Sequence, residues 1–98
     1  MTLRDIQNLI ERKEFRISNK VAEYVDLGEF SRDDLIRCIE TAPKIAKREK
    51  DERGESVDGY KYTIIGWNTR GLRFYTAGKI LRDLTGNYYF FITAHEAD

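Results

Sequence analysis

Residue types that build disulfides and metal sites are nearly absent from this sequence. Cys38 is the only cysteine and His95 the only histidine, so an intramolecular disulfide cannot form and a typical zinc ligand set is missing. Cys38 lies in a segment with helical apolar spacing, where a buried structural thiol is the usual role. The sequence also has no glycine-rich phosphate loop and no nucleophile elbow. We therefore expect no metal and no other cofactor.

Long apolar runs and an excess of one charge are absent as well. No stretch approaches the roughly 20 apolar residues of a membrane helix, and residues 1–5 lack the apolar run of a signal peptide, which predicts a soluble, cytoplasmic protein without a membrane partner. The 17 basic and 17 acidic residues balance, so any binding of nucleic acid must be local. The 98 residues, 41% of them hydrophobic, predict one domain over 1–98 whose chemistry takes place at its surface.

Three helices are predicted in the first half of the chain. Thr2, Ser18 and Ser31 can each cap a helix that begins at the next residue. Apolar residues then recur at helical spacing in each segment. These residues are Leu3, Ile6, Leu9 and Ile10, then Val21, Ala22 and Val25, and finally Leu35, Ile36 and Ile39. Residues 15–17 are predicted to form a brief connection between the first two helices.

Strands are predicted in the second half, where aromatic and β-branched residues dominate. They cover residues 60–67, 72–81 and 88–94, with turns at 68–71 and 84–87. Residues 44–53 favour a helix by propensity, although an edge strand starting at Lys44 is the alternative. The order of elements predicts an α+β domain, with two or three N-terminal helices packed on one face of a C-terminal antiparallel β-meander of three to four strands.

The other face of this meander is predicted to be open, and period-two counting indicates its residues. In the last strand, Tyr88, Phe90, Ile92 and Ala94 are the better core candidates. The predicted open face then consists of Lys61, Thr63, Arg73, Tyr75, Lys79, Tyr89, Phe91 and His95.

A basic and aromatic stretch runs from Tyr60 to Arg82 and contains no acidic residue. Such residues bind phosphates and stack on nucleic-acid bases. The predicted nucleic-acid-binding residues are Lys61, Arg73, Lys79 and Arg82. The alternative is a solvated sheet face, on which the same residue types are common.

Two blocks of the sequence, residues 74–80 (FYTAGKI) and 89–97 (YFFITAHEA), resemble small bacterial proteins similar in layout to the BrnT and RelE group of toxin-like domains. The resemblance implies a compact sheet with a basic face that cleaves RNA and is blocked by an antitoxin-like partner. It also implies a strand over residues 44–48. Arg73 and Lys79 correspond in kind to basic residues on the central strands of that group, and His95 or Tyr89 to a residue on its terminal strand.

Cleavage of RNA through its 2′-hydroxyl needs a base, an acid and a cation near the phosphate. His95, Tyr75 and Tyr89 are the candidate catalytic residues. His95 suits both proton steps, because histidine has an ordinary pKa of about 6.5. The alternative for His95 is a solvated strand end. Two hypotheses follow: a toxin-like endoribonuclease, and a non-catalytic module that binds a protein or a small ligand on the same face.

Overall fold

Three helices occupy the first half of the chain in the computed structural model, which describes residues 1–97. They are α1 (Leu3–Glu11), α2 (Asn19–Asp26) and α3 (Arg32–Thr41). The side chains of Thr2, Ser18 and Ser31 accept hydrogen bonds at their N-termini, and α1 and α3 have complete capping boxes with Asp5 and Asp34. The three predicted helices are therefore confirmed.

The second half of the chain supplies most of a mixed sheet, which has five strands within the described residues. These are β1 (Phe15–Ile17), β2 (Ile45–Lys50), β3 (Tyr60–Trp67), β4 (Arg73–Asp83) and β5 (Gly86–Glu96). Their spatial order is β1-β5-β4-β3-β2. The α+β class and the C-terminal antiparallel meander are confirmed, whereas β1 adds a parallel pair that the prediction lacked.

The short strand β1 was predicted as a connection, and this prediction was wrong. Phe15 pairs with Tyr89 and Ile17 with Phe91 in parallel register. The Phe15 ring also packs edge-on against Phe91 at a centroid distance of 5.7 Å. A strand of three residues is too short to show period-two alternation, so only its partner in β5 defines it.

Strand β2 replaces the helix that propensity favoured for residues 44–53. The strand that the resemblance implied is present from Ile45, where β2 pairs with β3 along the edge of the sheet. Five of its six residues are exposed, so β2 lacks the alternation of buried and exposed residues by which a strand is predicted. The pairing of β2 with β3 overrides the helix propensity of the lysine, arginine and glutamate residues in β2.

The core lies between the helices and one face of the sheet. Ile6 and Ile10 of α1 and Leu35 and Ile39 of α3 are buried against the sheet. Gly66 of β3 allows α3 to approach closely, because a Cβ atom there would lie 2.1 Å from the carbonyl oxygen of Cys38. In the described part of the chain, no helix has the length and apolar composition that a membrane span requires.

A β-bulge in β5 inverts the predicted facing of half of that strand. Ala77 lies opposite Thr93 and Gly78 opposite Phe91, so Ile92 has no partner of its own on β4. Tyr89 and Phe91 are consequently fully buried on the helix side, whereas the prediction placed both on the open face. Conversely, Tyr88, Phe90 and Ile92 lie outside the core. Beyond the bulge, Ala94 is buried and His95 is exposed, as predicted.

Candidate nucleic-acid interface

The side of the sheet that faces away from the helices is called the open face below. The predicted alternation of side chains between the two faces is confirmed in β3 and β4. Their helix-side residues Tyr62, Ile64, Phe74, Thr76 and Ile80 are buried. The open face therefore displays Lys61, Thr63, Ile65 and Trp67 from β3, then Arg73, Tyr75, Ala77, Lys79 and Leu81 from β4, and Tyr88, Phe90, Ile92, Thr93 and His95 from β5.

Tyr75 and His95 form a stacked pair at one end of the open face. They lie directly opposite each other on β4 and β5. Their ring centroids are 4.5 Å apart and their planes differ by 15°. Nδ1 of His95 lies 2.8 Å from the carbonyl oxygen of Glu96. A proton on Nδ1 would be donated to this carbonyl, which leaves Nε2 free to accept a proton from a bound molecule.

Arg73 lies beside this pair, and its guanidinium is held over an aromatic ring. Its Cζ atom is 5.2 Å from the ring centroid of Trp67, which is its direct partner on β3. The Arg73 side chain is exposed, and within residues 1–97 it forms no salt bridge. We call Trp67, Arg73, Tyr75 and His95 together the His95 end of the open face. It combines a cation, two aromatic rings and an imidazole.

Lys79 was predicted to bind phosphate, but its charge is already neutralised inside the protein. Its Nζ atom lies 3.5 Å from Oδ1 of Asp51 and 2.6 Å from Oε1 of Glu55, and the residue is only 4% exposed. Both carboxylates belong to the loop of residues 51–59, called the acidic loop below, which folds over this part of the open face. The Lys79 ammonium also holds the pKa of Glu55 below its ordinary value.

Asp51 fixes the acidic loop in this position. Its carboxylate accepts hydrogen bonds from the backbone N–H groups of Arg53, Glu55 and Ser56. Burial acts to raise the pKa of Asp51, but these hydrogen bonds and the Lys79 charge together hold it below the ordinary value. The acidic loop is thus anchored to the sheet.

Tyr89 and Arg82 were also predicted as site residues, and the structure places both elsewhere. Tyr89 is fully buried on the helix side, where its ring packs edge-on against Phe91 at 5.1 Å, and burial raises the pKa of its hydroxyl. Arg82 is exposed but alternates with Leu81, so it points to the opposite face, and its Nε donates to Oδ1 of Asn87 at 2.9 Å. Neither residue can act together with His95.

Lys61 does lie on the open face, at a groove beside the acidic loop. The floor of this Lys61 groove is apolar and consists of Leu81, Tyr88, Phe90 and Ile92, and its volume is about 500 Å³. Sequence reasoning missed it because three of these residues had been assigned to the core. Both alternating sets of residues 88–92 are apolar, so no local signal distinguishes the two facings.

A second groove adjoins the His95 end and was not predicted. It lies between α2 and the last residues of β5, has a volume of about 370 Å³, and is called the α2 groove below. It is lined by Lys20, Tyr24, Glu29, Phe30, Thr93, Ala94, His95 and Glu96. The helical residues reach β5 only through tertiary packing, so their sequence positions give no signal for this site.

No protein-family model, no curated protein and no solved structure significantly matches this chain. Within residues 1–97, no group of three histidine, cysteine, aspartate or glutamate side chains is arranged to hold a metal ion.

Proposed function

We propose that the open face binds single-stranded RNA and that the His95 end cleaves it, which makes this chain a toxin-like endoribonuclease of the kind that the BrnT and RelE resemblance implies. The observation that carries the proposal is the stacked Tyr75–His95 pair with the exposed Arg73 beside it. An RNA substrate of this kind would place the protein in the cytoplasm.

The proposed binding combines stacking with phosphate contacts. Bases stack on accessible aromatic faces with little dependence on sequence, and Trp67 and Tyr75 are partly exposed on the open face. Arg73 would bind a phosphate, since its guanidinium has no carboxylate partner in the described chain. Glu96 would repel a phosphate near His95, but its carboxylate is paired with Arg70 at 3.1 Å. Within the described residues, Arg73 is therefore the charged side chain of the His95 end that has no carboxylate partner.

The proposed cleavage uses the 2′-hydroxyl of the bound RNA as the nucleophile. His95 takes the proton of this hydroxyl at Nε2 as its oxygen forms a bond to phosphorus, and Tyr75 donates a proton to the departing 5′-oxygen. Arg73 stabilises the charge that develops on the non-bridging oxygens. The products are a 2′,3′-cyclic phosphate and a 5′-hydroxyl end. The 4.5 Å separation of the two rings is short enough for both groups to serve one phosphate.

Few phosphates are contacted in this proposal, because Lys79 is neutralised and Arg82 lies on the other face. Arg73 and Lys61 are the cations that β3 and β4 place on the open face without a salt bridge in the described residues. Each neutralised phosphate of a single strand contributes roughly −0.7 to the slope of log K against log salt, so a slope of about −1.4 is expected. An antitoxin-like partner, which the resemblance implies, would block the same face.

The Lys61 groove favours a second candidate function, a non-catalytic module that binds a protein or a small ligand. Its volume of about 500 Å³ and its apolar floor are typical of ligand sites. Binding there needs no acid or base. Replacement of His95 by alanine would leave such binding unchanged.

The proposed function is tested with the purified full chain and fluorescent single-stranded RNA of mixed sequence. We expect His95→Ala to lower the cleavage rate at least 100-fold while RNA binding is retained, because proton transfer contributes roughly 10²–10⁴ in rate. Arg73→Ala is expected to weaken binding about tenfold. Arg82→Ala is the matched control, since it removes an exposed arginine from the other face.

Each outcome decides between the candidates. Loss of cleavage in His95→Ala with normal behaviour of Arg82→Ala supports the endoribonuclease. Binding of RNA without cleavage by the unmodified chain would reduce the proposal to an RNA-binding module. If the unmodified chain neither binds nor cleaves RNA, the proposal is wrong and the Lys61 groove becomes the leading candidate site.

A further inference from the structure

The α2 groove is continuous with the His95 end, because His95 belongs to both. Strand β1 borders β5 only as far as Phe91, and Ser18 then turns the chain into α2. The Ser18 backbone N–H donates to the carbonyl of Phe91 at 3.0 Å, and its hydroxyl donates to that of Ile92 at 2.9 Å. These bonds fix the start of α2 beside the last residues of β5 and thereby form the groove.

From this arrangement we propose that the α2 groove is a nucleobase subsite with a preference for guanine, immediately next to the phosphate at His95. The inference rests on the proposed function and adds the base preference of the substrate. The groove volume of about 370 Å³ lies at the lower end of the range of about 300–1,000 Å³ for small-ligand sites. This size suits one nucleotide rather than a peptide or a large cofactor.

Aromatic side chains in the groove supply a stacking surface. Tyr24 is partly exposed, and the centroid of its ring lies 6.1 Å from that of Phe30. Phe30 in turn packs edge-on against the buried Phe74 at 5.4 Å. The Tyr24 ring is therefore supported from the core, which limits its motion. A base that leaves the open face at His95 can stack on it.

The preference depends on the charged side chains that line the groove, which are Lys20, Glu29 and Glu96, and Glu96 is already paired with Arg70. Glu29 is exposed and forms no salt bridge with any residue that the structure describes. A carboxylate can accept two hydrogen bonds side by side, and guanine presents two adjacent donors, N1–H and the N2 amino group. Adenine, cytosine and uracil each offer only one donor group on this edge. Lys20 would bind the phosphate of the same nucleotide.

The test uses RNA strands of seven nucleotides. Each strand carries one guanosine, inosine or adenosine, and its other nucleosides are uridine. Binding is measured on His95→Ala, which removes cleavage and leaves Glu29 in place. We expect the guanosine strand to bind about tenfold more tightly than the adenosine strand. Inosine lacks the N2 amino group, so its strand is expected to have an intermediate affinity. Glu29→Gln in the same background is expected to abolish the preference.

Two further variants complete the experiment. Glu23→Gln removes an exposed carboxylate from α2 that does not line the groove, and it should leave the preference unchanged. Tyr24→Ala removes the stacking ring and should weaken the binding of all three strands. Circular dichroism of Glu29→Gln confirms that the variant is folded, which is expected because Glu29 is exposed.

Failure of this inference is distinct from failure of the proposed function. Equal affinity for the three strands, together with His95-dependent cleavage at all bases, would overturn the guanine subsite and support the endoribonuclease. A guanine preference that depends on Glu29, without any cleavage by the unmodified chain, would support the subsite and overturn the catalytic role of His95. An equal effect of Glu23→Gln and Glu29→Gln would also overturn the subsite.

Discussion

The ammonium nitrogen of Lys79 lies 3.5 Å from Oδ1 of Asp51, although the two side chains are only 5% and 1% exposed. A buried ion pair of this kind is costly to break, because the remaining charge would be left without a partner in a poorly solvated site. Here it joins the acidic loop to the middle of β4. The pair therefore controls both the stability of the domain and the shape of the open face.

Asp51→Ala is expected to lower the free energy of unfolding by about 3 kcal/mol, because it leaves Lys79 without one partner and removes the acceptor for three backbone N–H groups. Lys79→Met should cost less, about 1 kcal/mol, because Asp51 keeps its backbone donors. Urea unfolding at neutral pH measures both values. Equal stability of Asp51→Ala and the unmodified chain would show that the ion pair does not anchor the loop.

Lys79→Met also tests whether Lys79 contacts the RNA or stays paired with the acidic loop when RNA binds. Because Asp51 and Glu55 already neutralise it, the variant should keep the salt slope of the unmodified chain, whereas Arg73→Ala should make the slope shallower by about 0.7. The measurement is RNA affinity at several salt concentrations. A shallower slope in Lys79→Met would mean that the acidic loop opens and that Lys79 contacts the RNA.

The outcome for Lys79 illustrates how far the sequence predicts this molecule. The three helices and the facing of β3 and β4 follow from local patterns, and so does the position of Arg73, Tyr75 and His95 on one face. The bulge at Ile92 does not, because both faces of that segment are apolar. Glu55, one of the two carboxylates that pair with Lys79, lies 24 residues before it in the sequence. Such pairing depends on tertiary packing, which a local pattern cannot record.

Gly66 and Gly78 both lie on the helix side of the sheet, and their alanine variants should differ in stability. At Gly66 the added methyl group would meet the backbone carbonyl of Cys38 at 2.1 Å, and α3 would have to shift. At Gly78 it would meet the side chain of Tyr89 at 2.6 Å. We expect a loss of about 3 kcal/mol or more for Gly66→Ala and about 1–2 kcal/mol for Gly78→Ala. Thermal and urea unfolding check the order, which would be reversed if α3 could move freely.

The hydroxyl of Tyr89 is buried and makes no hydrogen bond to the described part of the protein. Removal of an unsatisfied buried hydroxyl is neutral or favourable. Tyr89→Phe should therefore leave the free energy of unfolding unchanged or raise it by up to about 1 kcal/mol. It should also leave RNA cleavage unchanged, whereas Tyr75→Phe should slow it. Unfolding and cleavage assays on the two variants test this contrast. A large loss of activity in Tyr89→Phe would contradict the position of its side chain in the core.

Asp34 links the start of α3 to the turn between β3 and β4, which makes this contact sensitive to acid. Its carboxylate accepts hydrogen bonds from the backbone N–H and the hydroxyl of Thr69, at 2.9 and 2.7 Å, and from the backbone N–H of Ser31 at 2.9 Å. Burial acts to raise the pKa of Asp34, but these hydrogen bonds outweigh it and hold the pKa below its ordinary value of 3.8.

Because the pKa is lower in the folded state, the unfolded chain takes up the proton first as the pH falls. The contribution of Asp34 to stability is therefore complete above its ordinary pKa of 3.8 and is lost as the pH falls through its lowered folded value. Asp34→Asn should be about 2 kcal/mol less stable than the unmodified chain at neutral pH. This difference should shrink in acid, where urea unfolding at a series of pH values measures it. Asp33→Asn, at an exposed neighbouring position, is the control, and a difference for Asp34→Asn that stays constant down to about pH 2 would contradict the pKa shift.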